Sequence, residues 1–126
     1  MPKKAQEIIP SEDTEQQMLF TWAAMSSGKY PELMWMYACP NGGLRHIQTA
    51  MKLKDTGVKA GVPDIFLPVA RHKCHGMYIE MKRRKGGKLS VYQKEWITEL
   101  TKQGYYCVVA HGFEEAREQI EKYLKG

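Results

Sequence analysis

The sequence predicts an α/β fold in which a mixed β-sheet is flanked by helices on both faces. Short apolar runs rich in branched and aromatic residues alternate with longer segments of helical periodicity, in the order helix, strand, short helix, strand, strand, helix, strand, helix. The chain has 126 residues, 43% of them hydrophobic and 26% charged, which is typical of one globular domain. We expect residues 1–10 to form a flexible leader and residues 11–126 to form that domain.

The first predicted element is a helix with a charged residue on its apolar face. Ser11 or Thr14 can cap this helix, which should run to about Ser27, where Gly28 ends it. Glu15 lies on the same face as the apolar residues three, four and seven positions later. A core-facing charge is unusual, yet a first-turn glutamate is also favoured by the helix dipole alone, so both explanations stay open.

A strand and a short helix are predicted next. Residues 33–39 are predicted to form a strand, and residues 40–43 a turn. Residues 46–55 are predicted to form a short helix that Gly57 ends.

Two adjacent strands are predicted between residues 61 and 82. In the second strand, residues 77–82, the alternation places Glu80 and Lys82 on one face. The first strand spans residues 64–69, and if the two strands pair as neighbours, Asp64 meets Glu80. Two carboxylates brought together repel each other, and burying them is costly unless something neutralises them. A divalent cation is the simplest neutraliser.

The C-terminal part is predicted to be helix, strand, helix. Ser90 begins a helix with Gln93 at capping-box spacing, and Gly104 ends it. Gln93 also lies on the apolar stripe of that helix, although the capping box alone would account for a glutamine there. A strand at residues 105–110 and an amphipathic helix at residues 113–125 follow.

The net charge of +5 favours a polyanionic partner such as nucleic acid. Five cations are concentrated beside the predicted cation site: Lys82, Arg83, Arg84, Lys85 and Lys88. A charge run by itself is usually a solvated hairpin tip, but its position favours a role in binding.

The sequence also indicates a cellular compartment. Three cysteines, an odd number at irregular spacing, argue for a reduced compartment without a disulfide framework. No secretory signal or membrane span is recognisable, so we expect a cytoplasmic protein. The His-Cys-His pattern within residues 71–76 lacks the paired spacing and the fourth ligand of a zinc site, which favours a polar connecting loop.

The ordered set of motifs resembles the VRR-NUC family, the virus-type replication-repair nucleases of the PD-(D/E)XK superfamily. The motifs are Glu15, Pro40-Asn41-Gly42-Gly43 with Arg45, Gly61-Val62-Pro63-Asp64, Glu80-Met81-Lys82 and Ser90-Val91-Tyr92-Gln93. They span about residues 15 to 110. The resemblance implies a restriction-endonuclease-like core and a metal-dependent deoxyribonuclease.

The resemblance also implies roles for individual residues. Asp64 and Glu80 would hold Mg²⁺ or Mn²⁺ together with the backbone carbonyl of Met81, and carboxylate and carbonyl oxygens are the ligands these hard cations prefer. Lys82 would orient or activate the attacking water. Glu15 would contribute to metal binding directly or through water.

Gln93 would complete the set of catalytic residues as the family's glutamine at the start of a helix. The expected DNA-binding residues are Arg45, Arg83, Arg84, Lys85 and Lys88. Phosphate contacts of this kind give affinity without base specificity, so we expect selectivity for DNA structure rather than sequence.

Stand-alone members of the family are phage or prophage proteins that resemble homodimeric Holliday junction resolvases. The resemblance therefore implies a homodimeric endonuclease for branched DNA in recombination or repair, acting in the host cytoplasm if phage-encoded, with no membrane partner and no small-molecule cofactor. Two alternatives stay open: a flap or single-strand nuclease with the same core, and a non-catalytic basic DNA-binding module.

Overall fold

The computed structural model describes residues 8–41 and 55–126. Within these ranges the elements are α1 (Glu12–Met25), a 3-10 helix (Pro31–Trp35), β1 (Tyr37–Ala38), β2 (Ile65–Leu67), β3 (Met77–Lys82), α2 (Val91–Lys102), β4 (Tyr106–His111) and α3 (Phe113–Leu124). The observed order agrees with the predicted α/β fold.

The four described strands form one mixed sheet in the order β1-β2-β3-β4. β1 pairs antiparallel with β2, and β2 pairs antiparallel with β3. β4 runs parallel to β3, which requires the crossover that α2 supplies between them. The mixed sheet predicted from the sequence is confirmed.

The main core lies between one face of the sheet and the helices α1 and α3. Ile79 and Met81 of β3 are buried there with Leu19 of α1 and Ile120 of α3. Because side chains alternate along a strand, Glu80 and Lys82 point to the opposite face. That second face carries α2, whose Gln93 reaches Glu80.

Local capping interactions define where α1 and α2 begin. Ser11 is the N-cap of α1 and accepts a hydrogen bond from the Thr14 backbone N–H at 3.1 Å. Ser90 and Gln93 form both hydrogen bonds of a capping box at the start of α2. No residue of α2 is fully buried, so its apolar stripe is half-buried rather than part of the main core.

The strand predicted at residues 33–39 is mostly wrong. Pro31 begins a 3-10 helix, because its fixed φ suits the first turn of a helix and its missing N–H costs nothing there. Leu33 is 4% exposed and points into the core, whereas Met34 and Trp35 are 73% and 67% exposed. Most of the apolar run therefore belongs to the 3-10 helix or the residue after it, and only Tyr37–Ala38 pairs with β2 as a strand.

Other boundaries differ from the predictions by only a few residues, and two predictions are not covered by the described ranges. The short helix expected at residues 46–55 lies outside them except for its last residue, and so do residues 1–7 of the expected leader. Among the described helices, none is both long enough and apolar enough to cross a membrane.

Candidate metal centre

The antiparallel register of β2 and β3 brings the two predicted carboxylates together. Ile65 pairs with Ile79, so Asp64, one residue before β2, lies opposite Glu80. The Asp64 carboxylate is held at both oxygens: Oδ2 accepts a hydrogen bond from the Met81 backbone N–H at 2.8 Å, and Oδ1 accepts one from the Asn41 side-chain amide at 2.6 Å. The aspartate is therefore fixed between β3 and the end of β1.

Glu80 is a buried carboxyl group with one oxygen left unsatisfied. The residue is 2% exposed. Its Oε2 accepts a hydrogen bond from the Gln93 amide at 3.2 Å and lies 4.0 Å from the Lys82 Nζ. Its Oε1 is buried, and no hydrogen-bond donor for it lies among the described residues. An unsatisfied buried oxygen of this kind is rare in folded proteins, and a bound cation or a water molecule would satisfy it.

The electrostatic environment of Glu80 disfavours its charged form. The pKa of Glu80 is raised to about 9, chiefly by burial and then by the negative charge of Asp64 and a side-chain hydrogen bond with it; Glu12 adds to this effect, while Lys82 opposes it. Sequence reasoning did not single out Glu12. Its signal was its position in the first turn of α1, one helical turn before Glu15, on the helix already suspected of facing the site.

These features fit a hard divalent cation. Two adjacent carboxylates, one of them with an unsatisfied buried oxygen, supply only oxygen ligands, which suit Mg²⁺ or Mn²⁺. The backbone carbonyl of Met81 is a further oxygen on the residue whose N–H contacts Asp64. In the part of the chain that the structure describes, no three side chains of His, Cys, Asp or Glu are grouped so that they could hold a metal. A cation bound here would thus depend on backbone and solvent oxygens as well as on the two carboxylates.

Glu15 is buried, as its position on the apolar stripe suggested, and both oxygens of its carboxylate accept hydrogen bonds from other parts of the chain. Its Oε1 accepts hydrogen bonds from the Arg84 guanidinium at 2.7 and 3.2 Å, and its Oε2 accepts one from the Phe113 backbone N–H at 2.6 Å. Burial alone would raise the pKa of Glu15, but these contacts outweigh it and lower the pKa. Glu15 therefore connects α1 to the end of β3 and to the start of α3.

The cluster of basic residues after β3 is partly engaged within the protein. The Arg83 guanidinium donates to the Ile9 carbonyl at 3.3 Å, and Arg84 pairs with Glu15. Lys85 and Lys88 are exposed at the surface. Arg45, the remaining residue predicted to contact DNA, lies outside the described residues.

The loop that leads to Asp64 is clamped against α2. Gly61 has a φ of +93°, and a Cβ at this position would lie 2.6 Å from the Tyr92 carbonyl carbon. The Trp96 indole N–H donates to the Ala60 carbonyl at 3.1 Å. Since α2 also carries Gln93, the same helix contacts the loop that precedes Asp64 and donates a hydrogen bond to one oxygen of Glu80.

The residues of the His-Cys-His pattern contact neighbouring elements. The His72 Nε2 lies 3.0 Å from the Tyr123 carbonyl oxygen, and the His75 ring packs edge-on against Tyr105. Cys74 is not part of a disulfide. These contacts join the loop between β2 and β3 to α3 and to the start of β4.

The chain is similar in sequence and in fold to VRR-NUC domains. The family model described as the VRR-NUC domain matches residues 2–114. A solved structure described as a VRR_NUC domain protein is 33% identical, with a TM-score of 0.79, over 94% of this chain and 91% of the other. A search of the curated proteins found no match.

Proposed function

The chain belongs to the VRR-NUC domain family and has a nuclease-type DNA-processing fold, and from this premise we propose that it is a metal-dependent, structure-specific DNA endonuclease. The proposed substrate is branched DNA, with the four-way Holliday junction as the first candidate. The proposed enzyme is a homodimer, because symmetric cleavage of two strands requires two active sites related by a two-fold axis.

The buried carboxyl group of Glu80, whose Oε1 has no hydrogen-bond partner among the described residues, is the observation that carries this proposal. A buried carboxyl with a pKa raised to about 9, beside a second carboxylate, is unfavourable for the fold at neutral pH unless a positive charge binds there. A protein that only binds DNA gains nothing from two carboxylates facing a phosphate backbone. A cation between the carboxylates and a phosphate makes the arrangement useful.

Asp64, Glu80 and the backbone carbonyl of Met81 would hold Mg²⁺ or Mn²⁺. When bound, the ion supplies a water of lowered pKa and positive charge for the phosphoryl oxygens. Asp64 is already fixed by its two hydrogen bonds. Glu80 is fixed at Oε2 by Gln93, which leaves Oε1 for coordination.

Lys82 is suited to hold the attacking water. Its side chain is 9% exposed, and its ammonium group lies 4.0 Å from Glu80 Oε2, on the same face of the sheet. A lysine held there can donate to the water oxygen or, once deprotonated, accept its proton. In either case its place beside Glu80 directs the water toward the phosphate.

Gln93 and Glu15 support the site in different ways. Gln93 orients Glu80 by its amide N–H while its own side-chain oxygen completes the capping box of α2. Glu15, whose two oxygens are both engaged by protein donors, is proposed here to hold β3, α1 and α3 in place. Any contribution of Glu15 to metal binding would pass through water.

The test is cleavage of end-labelled DNA by the wild type and by Glu80→Gln, which keeps the side-chain shape but removes the charge. The substrates are a four-way junction, a flap, a single strand and a plain duplex, each with Mg²⁺, with Mn²⁺ and with chelator. Gln103→Ala is the matched control, since it removes another amide-to-carboxylate contact, that with Glu99 on the surface of α2.

We expect paired, symmetric, metal-dependent cuts in the four-way junction by the wild type and the control, and none by Glu80→Gln. Cleavage of flaps or single strands alone would retain the metal-dependent nuclease and replace the substrate. DNA binding without cleavage under every condition would contradict the proposal and leave a basic DNA-binding module. Sedimentation of the purified protein tests the dimer, and a monomer that still cuts flaps would favour the flap nuclease.

A further inference from the structure

Asn41 makes the shortest described contact with the candidate metal centre. Its side-chain Nδ2 lies 2.6 Å from Asp64 Oδ1 and 3.3 Å from the Val62 carbonyl oxygen. We propose that Asn41 is a positioning residue that orients the Asp64 carboxylate for cation binding. This inference rests on the proposed function, in that it assigns a further residue to the same metal centre.

The identity of these two acceptors determines which way the amide faces. A carboxylate oxygen and a backbone carbonyl oxygen can only accept hydrogen bonds, so the NH₂ end of the asparagine must face them. Its two hydrogens then match two acceptors, one on each. Aspartate at this position could not donate, and glutamine is one methylene longer, so asparagine is the residue type that fits.

The backbone places Asn41 where this contact is required. The Cys39 N–H donates to the Asp64 carbonyl at 2.7 Å and extends the pairing of β1 with β2 by one residue. Asn41 follows two positions later and so lies beside the Asp64 side chain. The contact therefore joins the segment that follows β1 to the residue that precedes β2.

Asn41 acts from the opposite side to the second donor on Asp64. The Met81 N–H holds Oδ2 from β3 at 2.8 Å, and Asn41 holds Oδ1 from the end of β1. With both oxygens held, the plane of the carboxylate is fixed before a cation arrives. The amide dipole also offsets part of the repulsion between Asp64 and Glu80, which lie side by side. Groups that hold metal ligands in this way typically affect metal affinity by about 10- to 100-fold.

The experiment measures Mn²⁺ binding by titration calorimetry without DNA, for the full chain as wild type, Asn41→Ala, Asn41→Ser and the control Gln103→Ala. Thermal unfolding in chelator reports the fold of each variant. Cleavage at increasing Mn²⁺ then separates loss of metal affinity from loss of the maximal rate. Asn41→Ser keeps a shorter donor and serves as the second variant if Asn41→Ala does not fold.

We expect the Mn²⁺ dissociation constant to rise by about 10- to 100-fold in Asn41→Ala and by less in Asn41→Ser, with the maximal cleavage rate recovered at high Mn²⁺. A merely structural role would lower the unfolding temperature in chelator, and excess metal would not restore the rate; that result overturns the inference. Unchanged Mn²⁺ affinity in Asn41→Ala, or no Mn²⁺ binding by the wild type, overturns it as well. A wild type that binds Mn²⁺ but cuts no DNA would contradict the proposed nuclease activity. The Mn²⁺ dissociation constants of the Asn41 variants would still show whether Asn41 positions Asp64.

Discussion

At the scale of single residues, two buried glutamates show how the surroundings of the same side chain can shift its pKa in opposite directions. Glu15 is 0% exposed and Glu80 is 2% exposed, so both bear the cost of burial. Glu15 has an arginine and a backbone N–H on its two oxygens, which lowers its pKa. Glu80 has a second carboxylate beside it, which adds to the effect of burial and raises its pKa. The contacts of Glu15 favour its charged carboxylate, whereas the surroundings of Glu80 favour its neutral carboxyl.

The raised pKa of Glu80 predicts that the protein is less stable at higher pH when no metal is present. Its ordinary pKa is 4.5 and its pKa in the fold is raised to about 9. Between these values the unfolded chain releases the proton while the folded chain retains it, so the free energy of unfolding falls as pH rises. Glu80→Gln removes this cost. We expect the variant to be more stable than the wild type by about 1–3 kcal/mol at pH 8 in chelator, and equal stability near pH 4.

Urea unfolding at both pH values, in chelator, measures this difference. The wild type with Mg²⁺ added is the second arm, since a bound cation should remove most of the advantage of Glu80→Gln. A variant that is less stable than the wild type at pH 8 without metal would show that Glu80 is charged and well compensated in the fold.

Metal binding should be strongly pH-dependent for the same reason. A cation that coordinates Glu80 must displace its proton, so the half-saturating Mg²⁺ concentration should fall as pH rises toward 9. The limit is about tenfold per pH unit for one displaced proton. Mg²⁺ titrations at pH 6, 7 and 8 test this. A pH-independent affinity would mean that Glu80 is not a ligand or is already ionised.

Sequence reasoning at this scale succeeded where strand alternation alone decides the outcome. Glu80 and Lys82 share a face because they are two positions apart on a strand, and Asp64 meets them because the register follows from the buried residues around it. The partners of Glu15 were not predictable, since Arg84 and Phe113 lie 69 and 98 positions away along the chain. A spacing pattern within one helix carries no information about such contacts.

At the scale of elements, α2 acts as the support of the site through its contact with the loop before Asp64. The close approach of Gly61 to Tyr92 predicts a specific defect in Gly61→Ala. A methyl group would lie 2.6 Å from the Tyr92 carbonyl carbon, at a φ of +93° that alanine disfavours. We expect a decrease of about 2–4 kcal/mol in the free energy of unfolding, with weaker Mn²⁺ binding because the loop shifts Asp64.

Gly28→Ala is the matched control for that substitution. A Cβ at Gly28 meets no atom within 4 Å, so this variant should unfold and bind Mn²⁺ like the wild type. If Gly61→Ala behaved like Gly28→Ala, the loop would not be held by α2, and the proposed support of Asp64 would be wrong.

Elements were predictable where their signals are local. The capping box at Ser90 and Gln93 and the N-cap at Ser11 are encoded within four residues, and both helices begin there. Residues 33–39 misled the prediction because a run of apolar residues has no clear period. Burial of Leu33 against the core, beside exposed Met34 and Trp35, is decided by tertiary packing.

At the scale of the whole molecule, the net charge of +5 and the position of the basic residues should determine how the protein meets DNA. The mixed topology and the family were predictable because the motifs occur in a fixed order on predicted strands and helices. The sequence did not predict which basic side chains form contacts within the protein and which are exposed to solvent, because that depends on the tertiary structure. Arg84 is used by Glu15, whereas Lys88 is exposed at the surface.

This difference in contacts predicts different effects for neighbouring cations. Lys88→Ala should reduce the slope of log affinity against log salt by about 0.9, which is the contribution of one lysine that no longer neutralises a phosphate. The decrease in affinity should be the same for any DNA sequence, because phosphate contacts do not read bases.

Arg84→Ala should instead leave Glu15 with fewer donors and lower the free energy of unfolding by about 1–3 kcal/mol, an effect that Lys88→Ala should not show. Fluorescence anisotropy from about 50 to about 200 mM KCl, in the Glu80→Gln background so that the DNA stays intact, measures the slopes, and urea unfolding measures the stabilities. An unchanged slope in Lys88→Ala would mean that DNA approaches another face of the protein, and the site would then need a different path for its substrate.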